Sequence, residues 1–205
     1  MEVTADTSTR RRQLPRDERR AQIQGAAAAA FVRAGFAATS IEDVAAEAGI
    51  TKVIVYRHYA GKEDLYRSIL DEVVGELAAA REAATASARP DDPSAPAPAL
   101  VTLLAGARAH PDAFRLLTVH AAREAEFREY AELTRRAMED ATRTMVDPLG
   151  LDAELGGWLA ALLVDAGVTA VLRWLDHGTP DRDDEFLRRA TAGIRAMVQA
   201  AVAAS

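Results

Sequence analysis

A chain of 205 residues, 49% of them hydrophobic, is long enough to bury a sizeable core without covalent staples. It contains no cysteine, which excludes disulfides, thiolate metal sites and cysteine nucleophiles. The net charge of −6 is unevenly spread: through Arg67 there are 11 basic and 9 acidic residues, and the remainder holds 14 and 22, so a weakly basic head precedes an acidic body.

The first 15 residues are polar and lack the apolar run of a secretory leader, which predicts a disordered arm on a cytoplasmic protein. The Arg10-Arg11-Arg12 run in that arm either enters a minor groove or stays solvated. A first helix, RRAQIQGAAAAAFVRAGF, is stopped at Gly35-Phe36. Thr39, with Glu42 three residues later, predicts a capping box that starts helix two near Ser40. Ile41, Val44, Ala45 and Ala48 share one face, Gly49 supplies a left-handed corner, and Ile50 turns back to the core. Thr51 is the next cap, and Val55 and Tyr59 at helical spacing predict a third helix of about two turns. The small Ala45 permits close helix approach, Gly49 makes the bend, and Val55 fills the angle of a crossing near ~90–120°. Those features describe a helix-turn-helix motif over about 39–59.

In such a motif the leading residues of the second helix meet base edges in the major groove, while polar neighbours fix the register on phosphates. The predicted DNA-binding residues are Thr39, Thr51, Lys52, Val53, Tyr56, Arg57, His58 and Lys62. Lys52 and Lys62 are the only lysines of the chain, so compact ammonium groups occur only where a phosphate backbone would be gripped. Val53 would either touch a thymine methyl or pack on the sugar backbone.

From about Arg16 to Leu70 these residues resemble the N-terminal domain of the TetR family of transcriptional regulators. The likeness is carried by the first helix and its Gly35-Phe36 stop, the capped start at Thr39-Ser40, AAEAGI into the turn, then TKVIVYRHY and GKEDLY. Val53-Ile54 stands where the family more often has small residues, and Gly61 replaces a capping side chain. The resemblance implies a homodimer on a palindromic double-stranded operator, repression as the default, and a body whose ligand alters the pose of helix four. It also implies a four-helix dimer interface formed by the last two helices.

Helix four should run from Lys62 through Leu65, Tyr66, Ile69, Val73 and Leu77. Thr85 to Ala99 holds half of the eight prolines and predicts a loop. Short helices over Ala99–Ala109 and Pro111–Arg123 precede a longer one from about Glu124 to Val146. Leu155–Leu175 is apolar on all sides, yet Asp165 at its centre, where a bilayer would cost it roughly 2.5–3.5 kcal/mol, and Arg173 further along argue against a membrane span. A helix buried on two sides fits, with Gly156, Gly157, Ala160 and Ala161 admitting a second subunit. The last helix, Asp183 to Ala203, carries Phe186, Leu187, Ala190, Ile194, Met197 and Val198 on one stripe. The predicted architecture is all-α: a three-helix head over 16–61, and about six more helices over 62–205 for dimerisation and effector binding.

The four histidines, at 58, 110, 120 and 177, fit no metal-binding spacing, and neither a phosphate-cradling loop nor a nucleophile elbow occurs. No catalytic residue, metal or cofactor is therefore expected. Candidates for an effector pocket are Phe114, Leu117, His120, Phe127, Tyr130, Met138, Trp158, Leu162 and Asp165, residues that would serve equally as ordinary core. Asp165 calls either for an arginine partner, Arg115 or Arg173, or for a cationic ligand. The alternative is a DNA-binding dimer without small-molecule input, its body used only to dimerise or to recruit another protein.

Overall fold

The computed structural model describes residues 14–87, 92 and 95–203; the Arg10-Arg11-Arg12 run, Pro90 and Pro93 lie outside the described residues. Those described form nine α-helices and no strand. The head comprises α1 (Arg16–Ala34), α2 (Ile41–Glu47) and α3 (Lys52–Tyr56), and α4 (Lys62–Ala86) runs from it into the body. The body continues with α5 (Pro98–Ala109), α6 (Pro111–Arg115), α7 (Arg128–Val146), α8 (Ala153–His177) and α9 (Asp183–Ala203).

Local chemistry accounts for most boundaries. Asp17 and Glu18 in the first turn of α1 complement its dipole, and Gly35 ends the helix at φ 84°. Pro98 and Pro111 occupy first-turn positions, where a missing N–H costs nothing. Asp152 caps α8 by accepting from the N–H groups of Glu154 and Leu155, both at 2.9 Å. One predicted start moves: Glu124 is extended (φ −91°, ψ 125°), so α7 begins at Arg128 rather than at Glu124. The predicted Pro111–Arg123 helix is α6 followed by a π-helical turn, Leu116–His120, and a 3-10 turn, Ala121–Arg123.

The core is continuous from head to body. In the head, Ile23, Phe31, Val44, Val55 and Leu65 are fully buried, and α1 lies across α2, α4 and α6. At the junction the Tyr66 ring stacks on Phe127 at 4.2 Å, while Phe36 meets both edge-on at 5.3 and 5.1 Å. Such pairs add about 0.5–1.5 kcal/mol each beyond their buried area. In the body, α4 packs on α5, α5 on α8, and α7 on α8. The α4–α5 approach uses a glycine: a Cβ at Gly106 would stand 2.7 Å from Leu77 Cδ2 and make that side chain shift.

Two predictions about α8 are corrected. Gly156 and Gly157 make room for a side chain of the same protein, because Arg143 of α7 lies across them, its guanidinium 2.9 Å from a Cβ at Gly157. Asp165 is exposed and pairs at 3.3 Å with Arg135 of α7, so neither Arg115 nor Arg173 serves it. Arg115 reaches Asp176 instead, at 2.8 Å. Among the described residues α8 alone is long and apolar enough to cross a membrane, and about a third of that apolar stretch is buried within the protein.

Candidate nucleic-acid interface

The corner between α2 and α3 is built from backbone hydrogen bonds. Gly49 takes φ 64°, a left-handed conformation that places its N–H on the Ala46 carbonyl (3.1 Å) and the Ile50 N–H on that of Ala45 (2.9 Å). Ala45 is buried there, and Val55, with no exposed surface, fills the angle. Burying such a valine contributes about 1.5–3 kcal/mol.

The helix is shorter than the two turns predicted, ending at Tyr56 with Tyr59 buried beyond it, and with Val55 turned inward the opposite side of α3 faces out. Thr51, Lys52 and Arg57 are exposed, as are Val53 at 56% and Tyr56 at 53%. Thr51 sits at the N-cap, but its hydroxyl makes no capping bond and so remains available to a ligand. Lys52 Nζ donates to Glu42 Oε1 at 2.7 Å. That contact draws the carboxyl of Glu42 below its ordinary range and raises the Lys52 ammonium, so both are ionised at neutral pH.

Three predicted contacts stand differently. Thr39 is only 3% exposed: its hydroxyl donates to Gly35 O at 2.8 Å, which removes it from any duplex surface. The capping box moves one residue on, with Ser40 Oγ accepting from Asp43 N (3.1 Å) and Asp43 Oδ2 accepting from Ser40 N (2.9 Å). Lys62 spans back to the α1–α2 loop, where Nζ donates to Phe36 O (2.7 Å) and Ala37 O (3.3 Å) and lies over the Phe36 ring at 4.4 Å. It is a staple between loop and α4, with its ammonium already committed. His58 is half-buried with Nδ1 enclosed and unpaired, and burial, followed by the charges of Arg16, Arg20 and Arg19, lowers its pKa.

Those three arginines were missed in the sequence. Arg16, Arg19 and Arg20 on the first turns of α1 lie close enough to His58 to act on its charge, and the Arg20 guanidinium sits 5.1 Å above the Tyr59 ring. They bring positive charge beside the end of α3, interleaved with exposed Asp17 and Glu18. Their spacing along the first turns of a helix was the available signal.

The sequence profile described as "Bacterial regulatory proteins, tetR family" matches residues 23–69, which spans the head from the middle of α1 and the start of α4. The head is a TetR-family domain. The chain is 38% identical over 73 residues to the HTH-type transcriptional activator FasR of Mycolicibacterium smegmatis, 36% of this chain and 33% of that protein. It is 35% identical over 98 residues to an HTH-type transcriptional repressor of Streptomyces coelicolor, 48% of this chain and 47% of the repressor. Each likeness spans less than half of the relative's length. The whole TetR-like fold is seen in a TetR-like transcriptional regulator from Rhodococcus sp. RHA1, at a TM-score of 0.68 and 23% identity over 90% of this chain and 99% of that one. The fatty acid degradation regulator FadR from Bacillus halodurans superposes with a TM-score of 0.60 at 14% identity, over 90% of this chain and 94% of its own. These two likenesses are of fold alone.

Behind the TetR-family head, the nine candidate effector residues do not form a single lining. Phe114, Leu117 and Phe127 are buried in the core, and Trp158 on α8 is 58% exposed. Leu162, Met138 and His120 are half-buried, and burial lowers the pKa of His120. The Tyr130 hydroxyl donates to Asp71 of α4 at 2.8 Å. Besides its packing along α1, the body grips the head at the loop after that helix, where Glu124 Oε1 accepts from Phe36 N at 3.2 Å beside the Phe127 ring.

Proposed function

We propose that this chain is a transcriptional regulator that binds a palindromic DNA operator as a homodimer. The observation that carries this reading is the outward leading end of α3, Thr51 to Val53 with Tyr56 and Arg57 one turn on, held by a buried Val55 and the Gly49 corner. Thr51 and Val53 would meet base edges, while Tyr56, Arg57 and the α1 arginines take phosphates. In a two-fold dimer the two α3 helices would enter successive major grooves roughly one turn, ~34–36 Å, apart. Pairing through α8 and α9 is supported by Leu155, Trp158 and half-buried Leu162 on the uncovered side of α8, and by exposed small residues Ala192, Gly193, Ala196 and Ala200 on α9. Selection from a random duplex pool tests the reading: an inverted repeat with protein bound as two subunits is expected, and enrichment of no sequence refutes it.

Repression is the default sign, although the named relatives include both an activator and a repressor. A small-molecule effector would act by shifting the segment 116–127, which touches the head through Glu124 and Phe127, and so would change the spacing of the heads. The reading without an effector draws support from Phe127, a candidate lining residue whose ring is packed between Phe36 and Tyr66. Thermal-shift screening separates the two. A compound that raises the melting temperature and weakens operator binding supports a sensor, and a full blank favours the dimer alone.

A further inference from the structure

The start of the outward α3 helix carries an unexpected negative partner. Lys52 is the first residue of α3, and its ammonium lies 2.7 Å from Glu42 in the first turn of α2. Both side chains are more than half exposed, 57% and 59%, so the pair stands open to solvent rather than serving as a buried tie. Neighbouring Asp43 is occupied elsewhere, since its carboxylate accepts from the Ser40 backbone and hydroxyl at 2.9 and 2.6 Å. A duplex that meets Thr51 to Val53 must therefore also meet the carboxylate of Glu42.

We propose that Glu42 is a specificity-determining residue of the head, weakening contact with unrelated DNA by holding Lys52 and repelling phosphate. This rests on the DNA-binding reading above. Sequence-independent binding consists almost wholly of cation–phosphate contacts with counterion release, so engaging one cation of a small head removes a sizeable share of it. An operator that matches Thr51 and Val53 keeps its base-edge contacts and can displace Glu42 from Lys52, because an exposed pair is worth little in water. Selectivity is the difference between those two affinities, and a repulsive group that acts mainly on the wrong partner enlarges it.

The test compares the wild-type chain, Glu42→Gln, and Glu42→Gln with Lys52→Met on the selected operator and on an unrelated duplex of equal length, across a salt series. Glu42→Gln should bind the unrelated duplex roughly threefold or more tightly, with a salt slope steeper by about one, and the operator-to-unrelated ratio should fall. Adding Lys52→Met should abolish the gain. If Glu42→Gln leaves the ratio unchanged, or weakens both duplexes alike, Glu42 only positions Lys52 and the inference is wrong while the DNA reading stands. If the wild-type chain selects no duplex, both fall.

Discussion

Gly49 and Lys62 show how much a single position decides in the head. A Cβ at Gly49 would meet nothing within 4 Å, so the requirement for glycine there is conformational, set by φ 64°. Gly49→Ala should cost about 1–2 kcal/mol in a denaturant melt, and Gly49→Asn less, because asparagine tolerates the left-handed region. Equal losses for both would mean the corner is not held in that conformation. Lys62 makes a contrasting prediction, since its ammonium is spent on the Phe36 and Ala37 carbonyls. Lys62→Met keeps an aliphatic stem over Phe36 and should lower the melting temperature. It should change the salt slope of DNA binding by well under the ~1 unit that loss of a phosphate ligand removes. A drop of a full unit would restore Lys62 as a phosphate anchor.

At the level of elements, one cluster ties three helices together through a titratable group. Asp183, the first residue of α9, accepts from Arg108 Nε and NH2 at 3.0 and 2.7 Å and from Trp174 Nε1 at 2.6 Å, so one carboxylate joins α5, α8 and α9. Asp183→Asn should destabilise the body by about 1–3 kcal/mol, read as a lower denaturation midpoint. Its carboxyl lies below the ordinary 3.8, mainly because of Arg108, so this contribution is lost only as pH falls below that value. His58 and His120 act in a higher window. Burial lowers both from 6.5, so their contribution is full above that pH and declines as pH falls through the depressed values. The melting temperature should drop between pH 7 and 5, and His58→Gln with His120→Gln should flatten that slope; an unaltered slope would contradict it.

Legibility in the sequence followed the same division. The order of the helices, the glycine corner and the bounds of α9 could be read because local residues determine them. Thr39 could not be told from Ser40, since adjacent hydroxyls each have an acidic residue three positions on, and only burial against Gly35 and Ala30 separates them. Asp165 was misread as buried because an apolar run does not say which side is covered, and its partner Arg135 stands thirty residues away. Lys62 and the α1 arginines were obscured for a related reason, as Phe36 and Ala37 beside Lys62, and His58 and Tyr59 beside the arginines, lie between helices and remote in sequence.

For the whole molecule, the proposed reading has the head meet DNA and the body supply the two-fold symmetry that a palindromic site needs. Trp158 and Leu155 lie exposed on α8, outside the core of their own protein. Trp158→Glu should leave the unfolding free energy of the isolated chain within about 0.5 kcal/mol, as surface changes do, and yet shift sedimentation from dimer to monomer. A dimer that persists would place the interface elsewhere. Because the natural sequence has no cysteine, Val53→Cys creates a unique thiol at the leading end of α3, to which a DNA-cleaving chelate can be attached. Mapping its cuts on the selected operator tests the central claim most directly. Two symmetric major-groove clusters about one helical turn apart are expected, while scattered cuts, or a single cluster without its symmetry mate, would contradict a dimer reading DNA through α3.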